Sequence, residues 1–362
     1  MEELQLTTND IEKIRGYFGK HYKTLFGNKL LMMISFFSNP YYLVINNLRK
    51  PQNLIKMVPG RGMRPLDLNV EKAISGREWS GREIAPKKGM KIIEVKPEEL
   101  LDTFQSEMLS ADSKREPFEA WCWAEEFAVI GDEIESGAYN SKDRSKAEIY
   151  DSTKSYEAGE FVKFGPDRLI FEALSNTSAG ESPESASAKW EDVTLSSICD
   201  GWGTIFKDLI ASGEVVPVVT GEIDATNAKE SIQKVYNAMP TKMKSKVKNG
   251  RIEVSYSVFE FYLQQRNNEH KEKFGAEAPE LDHYYVPTSN RKWEIVPVLH
   301  NGDSQRIVAT LPKNLVVGTD KVTDYGKKSK VLETLHGYKG KVTATLAFQV
   351  QDPSVLFIND RP

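Results

Sequence analysis

The hydrophobic pattern is most regular over residues 196–227, where apolar side chains recur at the spacing of an α-helix. Gly213 follows at the position of a left-handed helix stop, and residues 215–219 predict a buried strand interrupted by Pro217. The start of another helix comes next. The apolar positions on the predicted helical face are Ile198, Trp202, Ile205, Phe206, Leu209 and Ile210.

Helical spacing also predicts helices over residues 8–25, 114–137 and 227–239. The second of these carries a stripe of Trp123, Phe127, Ile130 and Ile134 and is expected to end at Gly137. Ser257-x-x-Glu260 has the form of a capping box, which predicts a further helix start. Residues 242–248 and 267–282 are expected to be loops.

Alternating apolar residues predict strands over residues 58–70 and 89–100, with a glycine-containing, charged stretch between them. The prediction is a long two-stranded hairpin with a charged tip, and a solvated loop is the alternative. Because a hairpin alone is marginal in water, such a ribbon needs another surface for support. The candidate contact residues at the tip are Arg77, Glu78, Trp79, Arg82, Glu83, Ile84, Lys87 and Lys88.

Residues 149–193 combine closely spaced turn residues with aromatic residues at strand-like spacing, which predicts a small β module inserted into the main fold. Downstream, strands are expected over residues 251–255, 293–299, 306–311 and 342–351. Together with the helices, they predict an α+β domain that continues to the end of the chain.

Composition narrows the class of protein. The 362 residues carry 48 basic and 52 acidic side chains, a net charge of −4, which argues against broad binding to phosphate. The first residues are acidic and polar, unlike a secretory signal. The longest apolar run, residues 30–37, is far shorter than the ~20 residues that span a bilayer. Cys122 and Cys199 are expected to be buried free thiols.

The sequence contains no motif of a known catalytic site. The histidines are scattered singly, without the spacing of a metal site, and neither a GxSxG elbow nor a phosphate-binding loop is present. Paired carboxylates on the predicted helix over residues 114–137 would suit a hydrolase, but a solvated helix face accounts for them better. We therefore expect neither an enzyme nor a cofactor.

The stretches CDGWGTIFKDLIASGEVVPVVTG, IDATNAKESIQKVYNAMP and IEVSYSVFEFY, between residues 199 and 262, resemble the major capsid proteins of tailed bacteriophages (the Caudoviricetes capsid fold). The likeness is greatest to phages of Bacteroidetes-like hosts, and ATLPKNLVVGTD is similar as well. The resemblance implies an α+β capsid fold divided into an N-terminal arm (1–56), an extended hairpin loop (57–99), a peripheral domain with a long spine helix (100–148), an inserted β module (149–194), an axial α+β domain (195–304) and a return to the peripheral domain (305–362).

A second likeness covers residues 149–193, which are similar to the small chitin-binding-type module of bacterial chitinases and phage structural proteins. In that family, sugar binding relies on exposed tryptophans in a loop where this chain has Leu174, Ser175, Asn176 and Thr177. The resemblance therefore implies a framework role more than glycan binding. The matching framework residues are Tyr156, Gly159, Val162, Phe171, Pro183 and Trp190.

The capsid resemblance implies a structural subunit that self-assembles, as hexamers and pentamers, into an icosahedral shell around double-stranded DNA without sequence-specific binding. Its implied partners are other copies of itself, a portal, and scaffolding or auxiliary capsid proteins. Its implied location is the virion capsid, after synthesis in the host bacterial cytoplasm and without a membrane. The alternatives are an encapsulin-like nanocompartment shell, a glycan-binding adhesin that acts through residues 149–194, and, third, a hydrolase.

The hairpin tip carries the expected assembly contacts. Its charged residues would meet opposite charges on a neighbouring subunit, while Trp79 and Ile84 would supply the larger, apolar part of the contact. Charge reversal at Arg77 and Arg82 is therefore expected to lower the assembly yield and leave the subunit folded.

Overall fold

The computed structural model of the chain describes residues 34–59, 76–95, 118–320, 331–334 and 337–362, so the helix expected over residues 8–25 lies outside the described part. The helices are α1 (Ser35–Ser38), α2 (Phe118–Asn140), α3 (Trp202–Ala211), α4 (Ala228–Ala238), α5 (Thr241–Lys246) and α6 (Tyr256–Phe274). The strands are β1 (Leu43–Ile45), β2 (Gln52–Pro59), β3 (Arg77–Ile84), β4 (Lys87–Val95), β5 (Glu148–Ile149), β6 (Phe161–Phe164), β7 (Leu169–Ala173), β8 (Trp190–Asp192), β9 (Gly250–Val254), β10 (Tyr284–Tyr285), β11 (Trp293–Pro297), β12 (Val308–Thr310), β13 (Leu315–Thr319), β14 (Val331–Thr334), β15 (Gly337–Val350) and β16 (Phe357–Ile358).

The first sheet is built around β15, in the order β1-β13-β15-β14, and β4 pairs with the same long strand. Helices α2 and α3 supply side chains to the core with this sheet. Ile130 and Ile134 come from α2, while Trp202 and Phe206 come from α3. The described part of the predicted α2 stripe and the predicted stripe of α3 thus pack into a single core.

The second sheet has the order β10-β11-β9-β12-β16 and forms a separate core with α4 and α6. Ile232 and Val235 of α4 and Val258 of α6 pack there with Trp293 of β11. Two mixed layers of helix and sheet confirm the α+β class expected from the sequence.

The helix α3 belongs to the first core, although the sequence placed it in the same domain as the second sheet. Glycine explains this packing. A Cβ at Gly201 would lie 2.6 Å from the carbonyl oxygen of Tyr139, and one at Gly203 would lie 2.6 Å from the Tyr139 ring. The two glycines let the start of α3 approach the end of α2 closely, so the expected boundary at residue 195 does not follow the packing.

Strands β2, β3 and β4 differ in position from the predicted hairpin, whose first strand, over residues 58–70, lies outside the described part from residue 60 onward. Strand β3 pairs antiparallel with β2, with Gln52 opposite Ile84 and Pro59 opposite Arg77. Strand β4 pairs instead with β15 in the first sheet. The residues assigned to a charged tip therefore lie within two strands of different sheets. Burial of Leu54 and Ile84 on one face of β2 and β3 explains this register.

Five other local predictions are wrong. Residues 215–219 form only an isolated bridge, at Val218, and not a strand. Residues 242–246 are helical in α5, and α6 continues through residues 267–274. The N-cap of α6 is Ser255, which accepts a hydrogen bond from the backbone N–H of Val258, rather than Ser257. Helix α2 runs three residues past Gly137, because Ala138 and Tyr139 are buried in the first core.

Residues 148–192 form a four-stranded sheet in the order β5-β6-β7-β8. The segments that enter and leave this module lie side by side. Lys142 and Arg144, before the module, donate backbone hydrogen bonds to the carbonyl groups of Ser196 and Ser197, after it. The Arg144 guanidinium adds an ion pair with Glu172 at 2.6 Å. These contacts hold the module to the end of α2.

Candidate functional site

No group of side chains in the described ranges is arranged to hold a metal ion, and none of their helices is long and apolar enough to cross a membrane. The Cys199 thiol is buried, as expected, and burial raises its pKa to about 12, so it is not a nucleophile near neutral pH. The side chain of Cys122 is outside the described part.

One buried polar cluster joins the two cores. The Tyr42 hydroxyl donates a hydrogen bond of 2.6 Å to the Glu253 carboxylate, and the His300 ring lies 4.0 Å from the other carboxylate oxygen. Burial raises the pKa of Glu253 to about 7 and lowers that of His300 to about 3. Both side chains are only 2% exposed, so the cluster fixes the seam between the cores instead of meeting a substrate.

The ribbon of β2 and β3 exposes several large apolar side chains at the predicted site. Met57 stands directly opposite Trp79, and Ile55 stands opposite Gly81, so these side chains share one face. Trp79 is 63% exposed, Ile55 62% and Met57 45%. A run of large apolar side chains on one face of a ribbon is typical of a surface that binds another protein.

The opposite face of the ribbon is fixed to its own subunit. Leu54 and Ile84 pack with Leu48, Val316 and Ala347 in a small cluster of their own. Arg82 forms an ion pair of 2.7 Å with Glu214, and Lys56 forms one of 2.6 Å with Asp352. The ribbon thus presents its apolar face outward from a fixed base.

The predicted contact residues divide into two groups. Arg77, Glu78, Trp79, Glu83 and Lys88 are exposed, as an intermolecular contact requires. The other three are used within the subunit, which corrects their assignment. Ile84 is 1% exposed in the small cluster, Arg82 is paired with Glu214, and Lys87 is paired with Asp143 at 2.7 Å. The Asp143 hydrogen bond raises the pKa of Lys87.

Sequence reasoning missed Ile55 and Met57, the partners of Trp79 on the exposed face. The apolar residues Leu54, Ile55, Met57 and Val58 are the signal that would have found them, but the predicted boundary between the arm (1–56) and the hairpin loop (57–99) divided this run. The strand β4 exposes Met90 and Ile92 in the same way, on the side of the first sheet opposite Lys91, whose ammonium group pairs with Glu126 of α2.

The framework residues of the inserted module lie in or beside its core. Val162 and Trp190 are buried there with Ala173, and Tyr156 and Phe171 pack against them. The Trp190 indole N–H donates to the Glu181 carbonyl at 3.1 Å. Pro183 is buried, and Gly159 has a φ of 91°, which favours glycine. No tryptophan of residues 148–193 is exposed for stacking on a sugar.

No protein-family model matches the sequence, and no curated protein matches it. Solved structures do match. A chain of the satellite phage P4 procapsid, which includes the size determination (Sid) protein, is similar with a TM-score of 0.51 and 11% identity, over 98% of this chain and 97% of that chain.

The chain has a phage capsid fold. The capsid of Myoviridae phage XM1 also matches, with a TM-score of 0.43 and 10% identity over 88% of this chain and 89% of that chain. The capsid of a native gene transfer agent (GTA) particle matches with a TM-score of 0.43 and 10% identity over 88% and 87%. The match to the P4 procapsid chain confirms the capsid fold that the resemblance implied.

Proposed function

We propose that the chain is a structural subunit that self-assembles into an icosahedral capsid shell around a viral DNA genome. The observation that carries the proposal is the capsid fold over nearly the whole chain, combined with the exposed apolar face of Ile55, Met57 and Trp79. A monomer gains nothing from such a face, whereas burial against a neighbour contributes roughly 25 cal/mol per Å2 of apolar surface.

Within that proposal, the parts of the fold have distinct roles. The β2 and β3 ribbon is the extended hairpin that reaches a neighbouring subunit, and α2 is the spine helix of the peripheral domain. The second sheet with α4 and α6 is the axial domain, which forms the centre of hexamers and pentamers. Portal, scaffolding and auxiliary capsid proteins are the further partners. Its location is the virion capsid.

The inserted module serves as a structural appendage in this proposal. Its largest aromatic side chain, Trp190, is occupied by the module's own core, which leaves glycan binding without a stacking platform. A glycan array probed with the full chain tests this role. Binding that is lost on substitution of an exposed residue of 149–193 would favour the adhesin instead.

Assembly is tested by purifying the full chain, raising its concentration with and without a scaffolding protein, and imaging the products by electron microscopy. Closed shells of uniform size are expected. A chain that stays monomeric at every concentration, by light scattering, would overturn the proposal. Shells that form around a co-expressed enzyme and contain no DNA would favour the encapsulin-like alternative.

A further inference from the structure

One end of the second sheet collects chain segments that are far apart in sequence. Residues 240–249 lead directly into β9. Strand β11 is parallel to β9, with Trp293 opposite Gly250, so residues 286–292 come to the same end. Strand β12 is antiparallel to β9, with Thr310 opposite Arg251, so residues 311–314 leave from that end as well. The backbone N–H of Gly250 donates to the Lys292 carbonyl at 2.8 Å, which ties two of the segments together.

These three segments contain basic residues and no acidic ones, in a chain whose acidic residues outnumber its basic ones by 52 to 48. We call this end of the sheet the basic end. Topology, not local sequence, creates it, because each segment alone holds one short group of cations. Its charged residues are Lys242, Lys244, Lys246, Lys248, Arg291, Lys292 and Lys313.

Two of the lysines are fixed by hydrogen bonds to main-chain carbonyls. Lys244 Nζ donates to Asn237 at 2.9 Å and lies 5.0 Å from the centre of the Tyr236 ring, and Lys292 Nζ donates to Ser245 at 2.9 Å. The other charged side chains of the basic end are exposed. Hydrogen bonds to carbonyl groups leave the positive charge of both lysines uncompensated.

Within the described ranges, no carboxylate lies at ion-pair distance from any cation of the basic end. Asp352 comes to this side of the sheet, where its backbone carbonyl accepts a hydrogen bond from Asn314 at 3.0 Å. Its carboxylate is already paired with Lys56 at 2.6 Å. The basic end therefore carries a local excess of positive charge that the described part of the subunit does not neutralise.

We propose that the basic end binds the phosphate backbone of double-stranded nucleic acid, without reading its sequence. Lysine ammonium groups act as point charges that suit phosphates, and binding gains free energy from the release of counterions. The choice of ligand in this inference rests on the proposed function. The inference deepens that function by assigning a surface of the shell subunit to the enclosed genome.

The composition of the surface favours nucleic acid over an acidic protein. Protein interfaces depend on buried apolar anchors, and none of the large exposed apolar side chains of the described part lies in residues 240–249, 286–292 or 311–314. Met243 and Val286 are buried in the second core. The basic end offers charge alone, which is what sequence-independent phosphate binding requires.

The test measures binding of the unassembled full chain to a fluorescent 30-base-pair DNA duplex, by anisotropy, between 50 and 300 mM salt. The variant combines Lys246→Gln, Lys248→Gln, Arg291→Gln and Lys313→Gln. We expect at least about tenfold weaker binding at low salt, and a slope of log K against log salt that is smaller by roughly 3 to 4. A duplex of unrelated sequence should bind wild type equally.

A matched control removes the same charge elsewhere, at the exposed residues Lys50, Lys146, Lys207 and Lys273, each changed to Gln. It should bind DNA like wild type. Equal losses of DNA affinity in the basic-end variant and the control, or no loss in the basic-end variant, would overturn the inference. Binding of poly-glutamate to the basic end at least as tightly as DNA would overturn it as well. Electron microscopy of the same proteins distinguishes failure of this inference from failure of the proposed function. If wild type forms shells but does not bind DNA, only the inference about the basic end is contradicted.

Discussion

Tyr42 and Glu253 are joined by a hydrogen bond of 2.6 Å that links the segment before β1 to the central strand of the second sheet. Beside them, the His300 ring packs at 5.2 Å between centroids from Trp202 of the first core. A buried acid and a buried base thus meet where the two cores join. Both are held neutral near pH 6, because burial raises the pKa of the acid and lowers that of the base.

Glu253→Gln should change the pH dependence of stability. The pKa of Glu253 is about 7 in the folded chain, against 4.5 as the ordinary value. Folding therefore favours the protonated acid. The stability that the protonated Glu253 contributes is fully present below pH 4.5 and is lost as pH rises through 7. The stability of wild type relative to the variant should decline by on the order of 3 kcal/mol over that window, as measured by urea unfolding.

The comparison with the variant is needed because His300 acts in the opposite direction. Its folded pKa is about 3, so folding favours the neutral ring, and the stability contributed by His300 grows as pH rises towards 6.5.

The groups that face Glu253 are Tyr41, Tyr42, Arg251 and His300. Glu222→Gln, at an exposed position, is the control. A difference between wild type and Glu253→Gln that stays constant across the window would contradict the assignment.

Gly201→Ala should destabilise the subunit. The new Cβ would lie 2.6 Å from the Tyr139 carbonyl oxygen and 2.7 Å from that of Ala138, and neither backbone atom can move without shifting α2. Such overpacking costs about 1–3 kcal/mol, which lowers the melting temperature by several degrees.

Gly137→Ala provides the opposite result as a control. A Cβ there would meet its neighbours at 3.8 and 3.9 Å, which is ordinary contact within a helix. Alanine should therefore stabilise α2 by about 0.5–1 kcal/mol. If calorimetry found that both alanines lowered the melting temperature equally, close approach would not be the reason for Gly201.

Met57→Ser with Trp79→Ser should abolish assembly and leave the subunit folded. Both side chains are exposed on one face of the ribbon, so the substitution removes apolar surface that only a neighbour buries. Sedimentation measures shell yield, and circular dichroism measures folding. Leu174→Ser, at a 57% exposed position of the inserted module, is the matched control and should assemble normally. Normal shells from the double variant would exclude the ribbon face as a contact.

Arg82→Glu should lower shell yield through the position of the ribbon, not through a charge on a neighbour. The Arg82–Glu214 ion pair is partly exposed, so its loss costs under about 1 kcal/mol of folding stability. Adding Glu214→Arg restores an ion pair of reversed polarity and should recover the yield. Arg77 has no ion-pair partner within the described part, so Glu214→Arg should not restore the shell yield of Arg77→Glu. A restored yield in that double variant would point to a general charge effect.

Much of the fold was predictable from local pattern. The stripe of Trp202, Ile205, Phe206 and Leu209 predicted α3 and its burial, and the Gly213 stop follows with a φ of 75°. The β pattern of residues 149–193 also predicted a sheet with a core of its own. These features depend on residues within a few positions of one another, so a period of 3.6 or 2 is sufficient to reveal them.

Pairing between distant segments was decided only by the tertiary structure. The sequence placed residues 77–88 in the charged stretch between two predicted strands, and it did not show that β3 pairs with β2 while β4 pairs with β15. The same limit applied to Ile84, whose burial depends on Leu48 and Val316, and to the basic end. Sequence determined the main amphipathic helices and which of their faces are apolar. Packing over long separations determined which of those faces stay exposed, because burial depends on partners that local pattern does not identify.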